Sequence, residues 1–395
     1  MAGPLTGYKV IDLSRYIAGP YCTQLLGDMG ADIIKVEDTK GDDGRRMKPA
    51  IGDLSTYFMV SNRNKRSVTL NLKHPRGKEI FTALVKDADV LVENFRPGAM
   101  ERLGFAYEEL RKINPRLVMA SISGFGQDGP YAHRPAFDTI AQAMGGLMEQ
   151  TGEPDGMPVP AGTWIADFGS GLFAAFGIML ALLNREKTGR GQHIDIALLE
   201  TVASWLRTNI PDYLMFGIKH PRKGSKGDTY RSPIGAYPTR DGYIFINATT
   251  QGQFENLCQA MEHPEWAKEP RFAAETDRLA NRAELNRLIT EWTSASTTAA
   301  VLQLLEKGDV PHSPVADIEQ VVNNPQLLHR NHFVRVKTSK GDELTLPGIN
   351  VKLSETPGSI RLAPPGIGEH NAEIYGKKLG ISAAELEALH RQGVI

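Results

Sequence analysis

YKVIDLSRYIAGPYCTQLLGDMGADIIKVE (residues 8–37) sets two periods back to back. YKVIDL (8–13) is a β-branched run of strand length, PYCTQLLGDMG (20–30) has helical spacing, and ADIIKVE (31–37) is a second strand run. The same alternation continues outward. SVTLNL (67–72) reads as a strand, PRGKEIFTALVKDA (75–88) as a helix, and DVLVENF (89–95) and LVMASISGFG (117–126) as further strands. A long helix from about Phe168 and HIDIALL (193–199), a strand running into another helix, follow. Strand-helix alternation predicts a parallel sheet covered by helices on both faces.

Beyond residue 205 the pattern changes. KHPRKGSKGDTYRS (219–232) has the polar, Gly- and Lys-rich character of a linker, and IGAYPTRDGYIFINAT (234–249) reads as a hairpin turning at Asp241-Gly242. The fold expected is therefore α/β: a doubly wound, Rossmann-like large domain plus a smaller α+β domain. Residues 1–205 begin the large domain, 206–227 form a linker, 228–327 the small domain, 328–350 a second linker, and 351–395 return to the large domain.

Lys and Arg total 45 against 46 Asp and Glu, a net charge of -1 over 395 residues. This balance lacks the basic excess of a nucleic-acid binder and favours a small-molecule partner. The 2 cysteines, Cys22 and Cys258, are too few for a disulfide framework, which fits a reducing compartment. No basic start and apolar run mark the N-terminus, and the most hydrophobic segment, Leu172–Leu183, is too short to span a bilayer. A cytoplasmic protein without a membrane partner is expected.

The loop SRYIAGPYC (14–22) lacks the Gly-x-Gly-x-x-Gly fingerprint of a dinucleotide site. Two readings of it stay open: Ala18, Gly19 and the helix N-terminus offer backbone donors to a phosphate or thioester oxygen, or the loop is simply a tight turn. No Gly-x-Ser-x-Gly elbow and no metal-ligand spacing of histidines occur, so neither a serine triad nor a metal site is expected. TWIADFGSGLFAAFGIMLALL (163–183) puts one carboxylate, Asp167, at the head of an apolar helix. On pattern it reads first as an N-cap. Gly169, Ser170 and Gly171 leave room around it, however, and an apolar wall strips water from a reactant.

AGPYCTQLLGDMGADIIKVE (18–37), NRNKRSVTLNL (62–72), VLVENFRPGAMERLG (90–104), INPRLVMASISGFGQDGPY (113–131), AFDTIAQAMGG (136–146), ADFGSGL (166–172), REKTGRGQHIDIALLE (185–200) and PPGIGEHNAEIYGKKLG (364–380) span essentially the whole chain. Taken together and in order, they resemble the family III CoA-transferases, which include formyl-CoA transferase and crotonobetainyl/carnitine CoA-transferase.

The resemblance implies that Asp167 is a nucleophile, forming an aspartyl-acyl anhydride and then an aspartyl-CoA thioester. An aspartate of ordinary pKa, about 3.9, is ionised at neutral pH without a base. The resemblance further implies CoA contacts from Asn94, Phe95, Arg96 and Arg102. By their own pattern, Asn94 and Phe95 end a strand and Arg102 is a solvated helix residue. Coenzyme A and acyl-CoA are substrates in such enzymes and no cofactor is permanently bound. An interlocked homodimer is also implied, each chain threading through the other.

Departures from the pattern bear on the acid. Ile17 stands where formyl-CoA transferase has Gln, ATTQGQF (248–254) with its single Gly252 replaces a glycine-run flap, and Asp38 replaces a basic CoA contact. Formate and oxalate are thereby disfavoured. Arg15, with Arg46 and Lys48 in GDDGRRMKP (41–49), suits the second carboxylate of a dicarboxylic acid, while a zwitterionic acid stays open. The alternative activity is that of α-methylacyl-CoA racemase, which pairs the equivalent aspartate with the histidine of a His-Asp dipeptide. Here that dipeptide is Phe137-Asp138, and Phe137 carries no proton. Asp138 reads either as a second acid beside Asp167 or as a helix cap.

Overall fold

Residues 2–228 and 230–395 are described by a computed structural model; Met1 and Thr229, which fall within the expected large and small domains, lie outside the described residues. The opening stretch forms β1 (Lys9–Asp12), α1 (Ala18–Asp28) and β2 (Asp32–Glu37). A short ladder, β3 (Ala50–Ile51) with β4 (Leu54–Ser55), leads through α2 (Thr56–Met59) into β5 (Lys65–Thr69). Then come α3 (Pro75–Lys86), β6 (Val90–Glu93), α4 (Ala99–Leu103), α5 (Tyr107–Ile113) and β7 (Val118–Ser123). Next follow α6 (Asp138–Met144), α7 (Ile165–Thr188), β8 (His193–Ala197) and α8 (Leu198–Trp205).

The 6-stranded sheet has the order β5-β2-β1-β6-β7-β8, and every pairing in it is parallel. Helices on its faces explain why β6 and β7 are buried along their whole length instead of alternating. After β1 the chain builds outward to β2 and β5, then returns to β1's other side as β6. The loops following β1 and β6 therefore leave neighbouring carboxyl ends in opposite directions and open a crevice there, the usual ligand position in such sheets.

α7 differs from its expected form. It begins at Ile165, so Trp164 holds the N-cap position and Asp167 lies within the first turn. Its 24 residues are also long and apolar enough to cross a membrane by length and composition, unlike the short segment read from the sequence. One face of it is buried in the first unit. It packs against α1, and the buried Arg185 near its end pairs with Asp89 at 2.9 Å. Gly171 makes the α1 contact possible, because a Cβ there would sit 2.5 Å from the Ala18 carbonyl oxygen.

The chain divides into two compact units. The first takes the residues up to Gly145, Gly162–Trp205 and Gln326–Ile395; the second takes Gly146–Ala161 and Leu206–Pro325. These boundaries depart from the expected ones in three places, one being that the expected linker 206–227 lies in the second unit and carries a helix, Asn209–Phe216. Gly146–Ala161 groups with the second unit, and much of the expected linker 328–350 is a hairpin of two strands, Phe333–Lys337 and Glu343–Pro347, in the first. Leu344 and Leu346 of that hairpin pack against Leu54, Phe58 and Met59, which is why the segment is not a free linker.

In the second unit α9 (Asn209–Phe216) precedes the hairpin of β9 (Ile234–Pro238) and β10 (Tyr243–Asn247). Further along come α10 (Gln251–Ala260), α11 (Glu275–Ala280), α12 (Arg282–Ser294), α13 (Thr298–Lys307) and β11 (His312–Pro314). The latter strand completes the antiparallel order β11-β10-β9, while β12 (Phe333–Lys337) and β13 (Glu343–Pro347) belong to the first unit. Ile244 and Ile246 pack in a common core with Phe254, Leu257, Ile289, Val301 and Leu305.

Candidate active site

Three stretches of the first unit converge on Asp167. Arg15–Ala18 leave β1 and start α1, Asn94–Pro97 leave β6, and Arg134–Phe137 lead into α6; with Tyr57, they line a cavity of about 270 Å³ that contains Asp167. The approach of α1 to α7 at Gly171 brings Ile17 and Ala18 to this wall. Tyr16 adopts a left-handed φ of 65°, held by its N–H bond to Asp42 Oδ1 at 3.3 Å.

The Asp167 carboxyl is pushed up to about 7, by burial first and by the facing Asp138 second. This is a shift the sequence could not give, and it takes Asp167 out of the ordinary aspartate range. Near neutral pH both its protonation states are well populated.

Asp138 heads α6 yet caps α7. Its Oδ1 accepts the N–H of Ala166 at 2.7 Å and of Asp167 at 3.1 Å, satisfying donors that the first turn of α7 leaves open. Gln142 donates to its other oxygen. Asp138 therefore lies beside Asp167 while its carboxylate is engaged with the start of α7. The Asp167 carboxylate itself makes no hydrogen bond among the described residues, which leaves its oxygens free.

A larger groove, about 930 Å³, lies over the carboxyl ends of β1, β2, β5 and β6 and is lined by residues including Asp38, Lys40, Lys73 and Arg102. Arg15, Phe95 and Arg96 line both spaces, so a ligand can continue from one to the other. The Arg15 guanidinium lies 5.1 Å above the Phe95 ring. Asn94 uses its amide on the loop after β1: Arg15 N donates to Oδ1 at 2.8 Å, and Nδ2 donates to the Arg15 carbonyl at 2.7 Å. It acts as a latch between the two crevice loops.

Beneath these loops runs a buried charge network that sequence reasoning missed. Lys65 Nζ donates to Asp12 Oδ2 at 2.8 Å, Lys35 pairs with Asp42 at 2.9 Å, and Lys35 also donates to the Ser14 carbonyl at 2.8 Å. Burial pulls the Lys65 ammonium down to about 8, whereas Lys65 and Lys35 overcome burial to hold Asp12 well below the usual carboxylate range. Removing one partner of such a pair costs about 3–5 kcal/mol, so the network fixes the loop that carries Arg15. Charges in the apolar strands KVID and DIIKVE, and the lysine opening KRSVT, were its only signal.

The profile of CoA-transferase family III matches residues 5–371. This chain belongs to CoA-transferase family III. It is 41% identical over 398 residues to a Chloroflexus aurantiacus protein named succinyl-CoA–L-malate CoA-transferase beta subunit, covering 99% of this chain and 98% of that one. An Acetobacter aceti protein named acetyl-CoA:oxalate CoA-transferase is 41% identical over 372 residues, covering 92% and 94%. Among solved structures, a CAIB/BAIF family protein from Brucella suis superposes with a TM-score of 0.87 at 36% identity, covering 95% of this chain and 100% of that one.

Within this CoA-transferase the residues picked from sequence fall into groups. Asp167, Ile17, Arg15, Asn94, Phe95 and Arg96 line one cavity, with Asp138 hydrogen-bonded at its edge, and Arg102 lines the adjoining groove. Arg46 and Lys48 line neither: both are exposed, and Arg46 faces Asp43 at 3.4 Å. Gly252 lies in the second unit, within the first turn of α10. There Thr250 and Gln253 form a capping box, so ATTQGQF starts a helix and is not an open glycine loop. Tyr57 and Arg134 are cavity residues that the sequence reading did not pick. Among the described residues, no group of three or more His, Cys, Asp or Glu is arranged to hold a metal ion.

Proposed function

We propose that this enzyme moves CoA from an acyl-CoA to a small organic acid, with Asp167 as the covalent nucleophile. The observation carrying the proposal is a carboxylate free of hydrogen bonds in a cavity continuous with a groove at the sheet's switch point. A CoA nucleotide would occupy that groove, with Arg96 and Arg102 toward its phosphates, Phe95 along its arm, and the thioester at Asp167. No permanently bound cofactor enters the reaction.

In the first step an Asp167 oxygen attacks the thioester carbonyl, the C–S bond breaks, and CoA leaves as thiolate with an aspartyl-acyl anhydride behind it. The thiolate attacks the Asp167 carbonyl, forming an aspartyl-CoA thioester and releasing the first acid. The acceptor carboxylate then attacks that thioester, and the returning thiolate takes up the new acyl group and regenerates Asp167. A raised pKa makes the ionised carboxylate a stronger nucleophile, and the anhydride survives only where bound CoA and acid keep water from it. The N-termini of α1 and α7 favour negative charge at this place. Burial and the facing Asp167 hold the Tyr57 phenol well above its ordinary range, so it stays a neutral donor at the cavity wall.

The relatives' names supply the acid class: malate and oxalate, both dicarboxylic, with succinyl-CoA or acetyl-CoA as donor. The oxalate name argues against excluding that acid because Ile17 replaces Gln. Two-base racemisation is disfavoured because Phe137 lines the cavity and none of its lining residues is a histidine.

The protein is proposed to work as an interlocked homodimer in the cytoplasm. Leu172, Phe176, Leu180 and Leu183 of α7 are exposed at 53%, 61%, 50% and 61%, an apolar stripe suited to cover by a second copy. CoA transfer from succinyl-CoA or acetyl-CoA to malate or oxalate, followed by chromatography, tests the activity. Transfer that Asp167→Ala abolishes supports it, whereas α-deuterium uptake without any acceptor and without transfer would replace it with racemisation.

A further inference from the structure

We infer that Arg134 grips the second carboxylate of a short dicarboxylic acid bound against Asp167 and so sets this transferase's choice of acid. The inference rests on the Asp167 reading above and deepens it.

Three arginines line the cavity, and Asp167 is the only acidic residue among its lining. Arg15 and Arg96 also line the adjoining groove, which puts them where the CoA arm must pass. Arg15 has further company, with Asp43 at 3.5 Å. Arg134 lines the Asp167 cavity and not the groove. Among the described residues it has no carboxylate partner.

Arg134 is exposed, and its guanidinium rests on an aromatic ring. It lies 4.1 Å over the ring of Tyr131, its backbone N–H donates to the Tyr131 carbonyl at 2.9 Å, and Tyr131 packs edge-on against Phe125 at 5.9 Å. A planar fork pre-set on an aromatic ring and lacking an internal counter-charge suits a ligand carboxylate, which it can bind through two parallel hydrogen bonds.

The chemistry selects the ligand. A monocarboxylic acyl-CoA carries no charge on its acyl group, since its only carboxylate has become the thioester. A dicarboxylic acyl-CoA keeps one free carboxylate, and so does the corresponding acid while its other end reacts at Asp167. Arg46 and Lys48, the cations favoured by sequence, line neither space and cannot serve this role without moving.

The test measures kcat/KM for CoA transfer from acetyl-CoA to succinate and to butyrate, acids of equal length differing in the second carboxylate. Wild type is compared with Arg134→Gln, Arg134→Lys and, as a control, Lys48→Gln. Arg134→Gln is expected to lower transfer to succinate by about 10- to 100-fold, the loss of a charge-assisted bidentate contact, and transfer to butyrate by less than about threefold. Arg134→Lys should fall between, and Lys48→Gln should match wild type. Equal loss toward both acids, or unchanged discrimination, would overturn the assignment. CoA labelling of Asp167 by acetyl-CoA is measured in parallel, and its persistence in Arg134→Gln keeps a folding defect from passing as a specificity effect. Absence of both labelling and transfer in wild type would defeat the underlying transferase reading instead.

Discussion

Replacing Asp167 by Asn should make the protein more stable at alkaline pH. The folded-state pKa is raised from 3.8 to about 7, by burial and then by Asp138. Between those values the native state binds the proton more tightly than the unfolded chain does, so wild-type stability falls as pH rises through that window; above about 7 the whole cost of ionising the buried group is present. At about 1.4 kcal/mol per pKa unit, the shift sets a ceiling of about 4 kcal/mol. Asp167 is only half-buried and faces a cavity open to water, so the expected cost is smaller, about 1–3 kcal/mol. The isosteric amide removes the charge and its cost. Thermal unfolding of both proteins, followed by calorimetry between about pH 4 and 8.5, should place the variant higher by about 1–4 °C at pH 8, with the gap closing toward pH 4. A variant that melts at or below wild type at pH 8, or a gap that does not change with pH, would refute the reasoning.

Two further perturbations separate the site's parts. Asp138→Asn keeps an oxygen for the Ala166 and Asp167 N–H groups but removes the charge facing Asp167. The acid limb of CoA release in single-turnover experiments should therefore move to lower pH, with stability changed by no more than about 1 kcal/mol. An unchanged pH profile would remove Asp138 as a cause of the raised pKa. Gly171→Ala places a methyl 2.5 Å from the Ala18 carbonyl oxygen. Denaturant unfolding should show a loss of about 1–3 kcal/mol with weakened CoA transfer, and a neutral result would mean that α1 and α7 separate at little cost.

The parallel sheet was legible because its strands and helices alternate with clear periods, each close to turn signals in the sequence. β5 is less so: Lys65 opens it, and a lysine there reads as solvent-facing until Asp12 and Asn62 are seen to close around it. The start of α7 eluded local rules for a related reason. Its cap is supplied by Asp138, 29 residues earlier, so the aspartate inside the helix looked like the cap and the cap looked like the head of another helix. Arg134 gave no periodic signal, being a loop residue that matters only once the crevice closes around it. The 333–347 hairpin fell within an expected linker, because the packing of Leu344 and Leu346 against Phe58, which makes it part of the large unit, leaves no local signal. Resemblance named Asp167 where pattern alone favoured a cap, and its free, raised-pKa carboxyl became visible only with burial.

The central claim is covalent, and mass spectrometry addresses it directly. Wild type and Asp167→Ala are mixed briefly with succinyl-CoA or acetyl-CoA, quenched in acid, weighed intact and then digested. The account predicts a CoA-sized adduct on the peptide containing Asp167, absent from the variant. An adduct on another residue, an adduct retained in Asp167→Ala, or CoA transfer proceeding without any trapped adduct would contradict it.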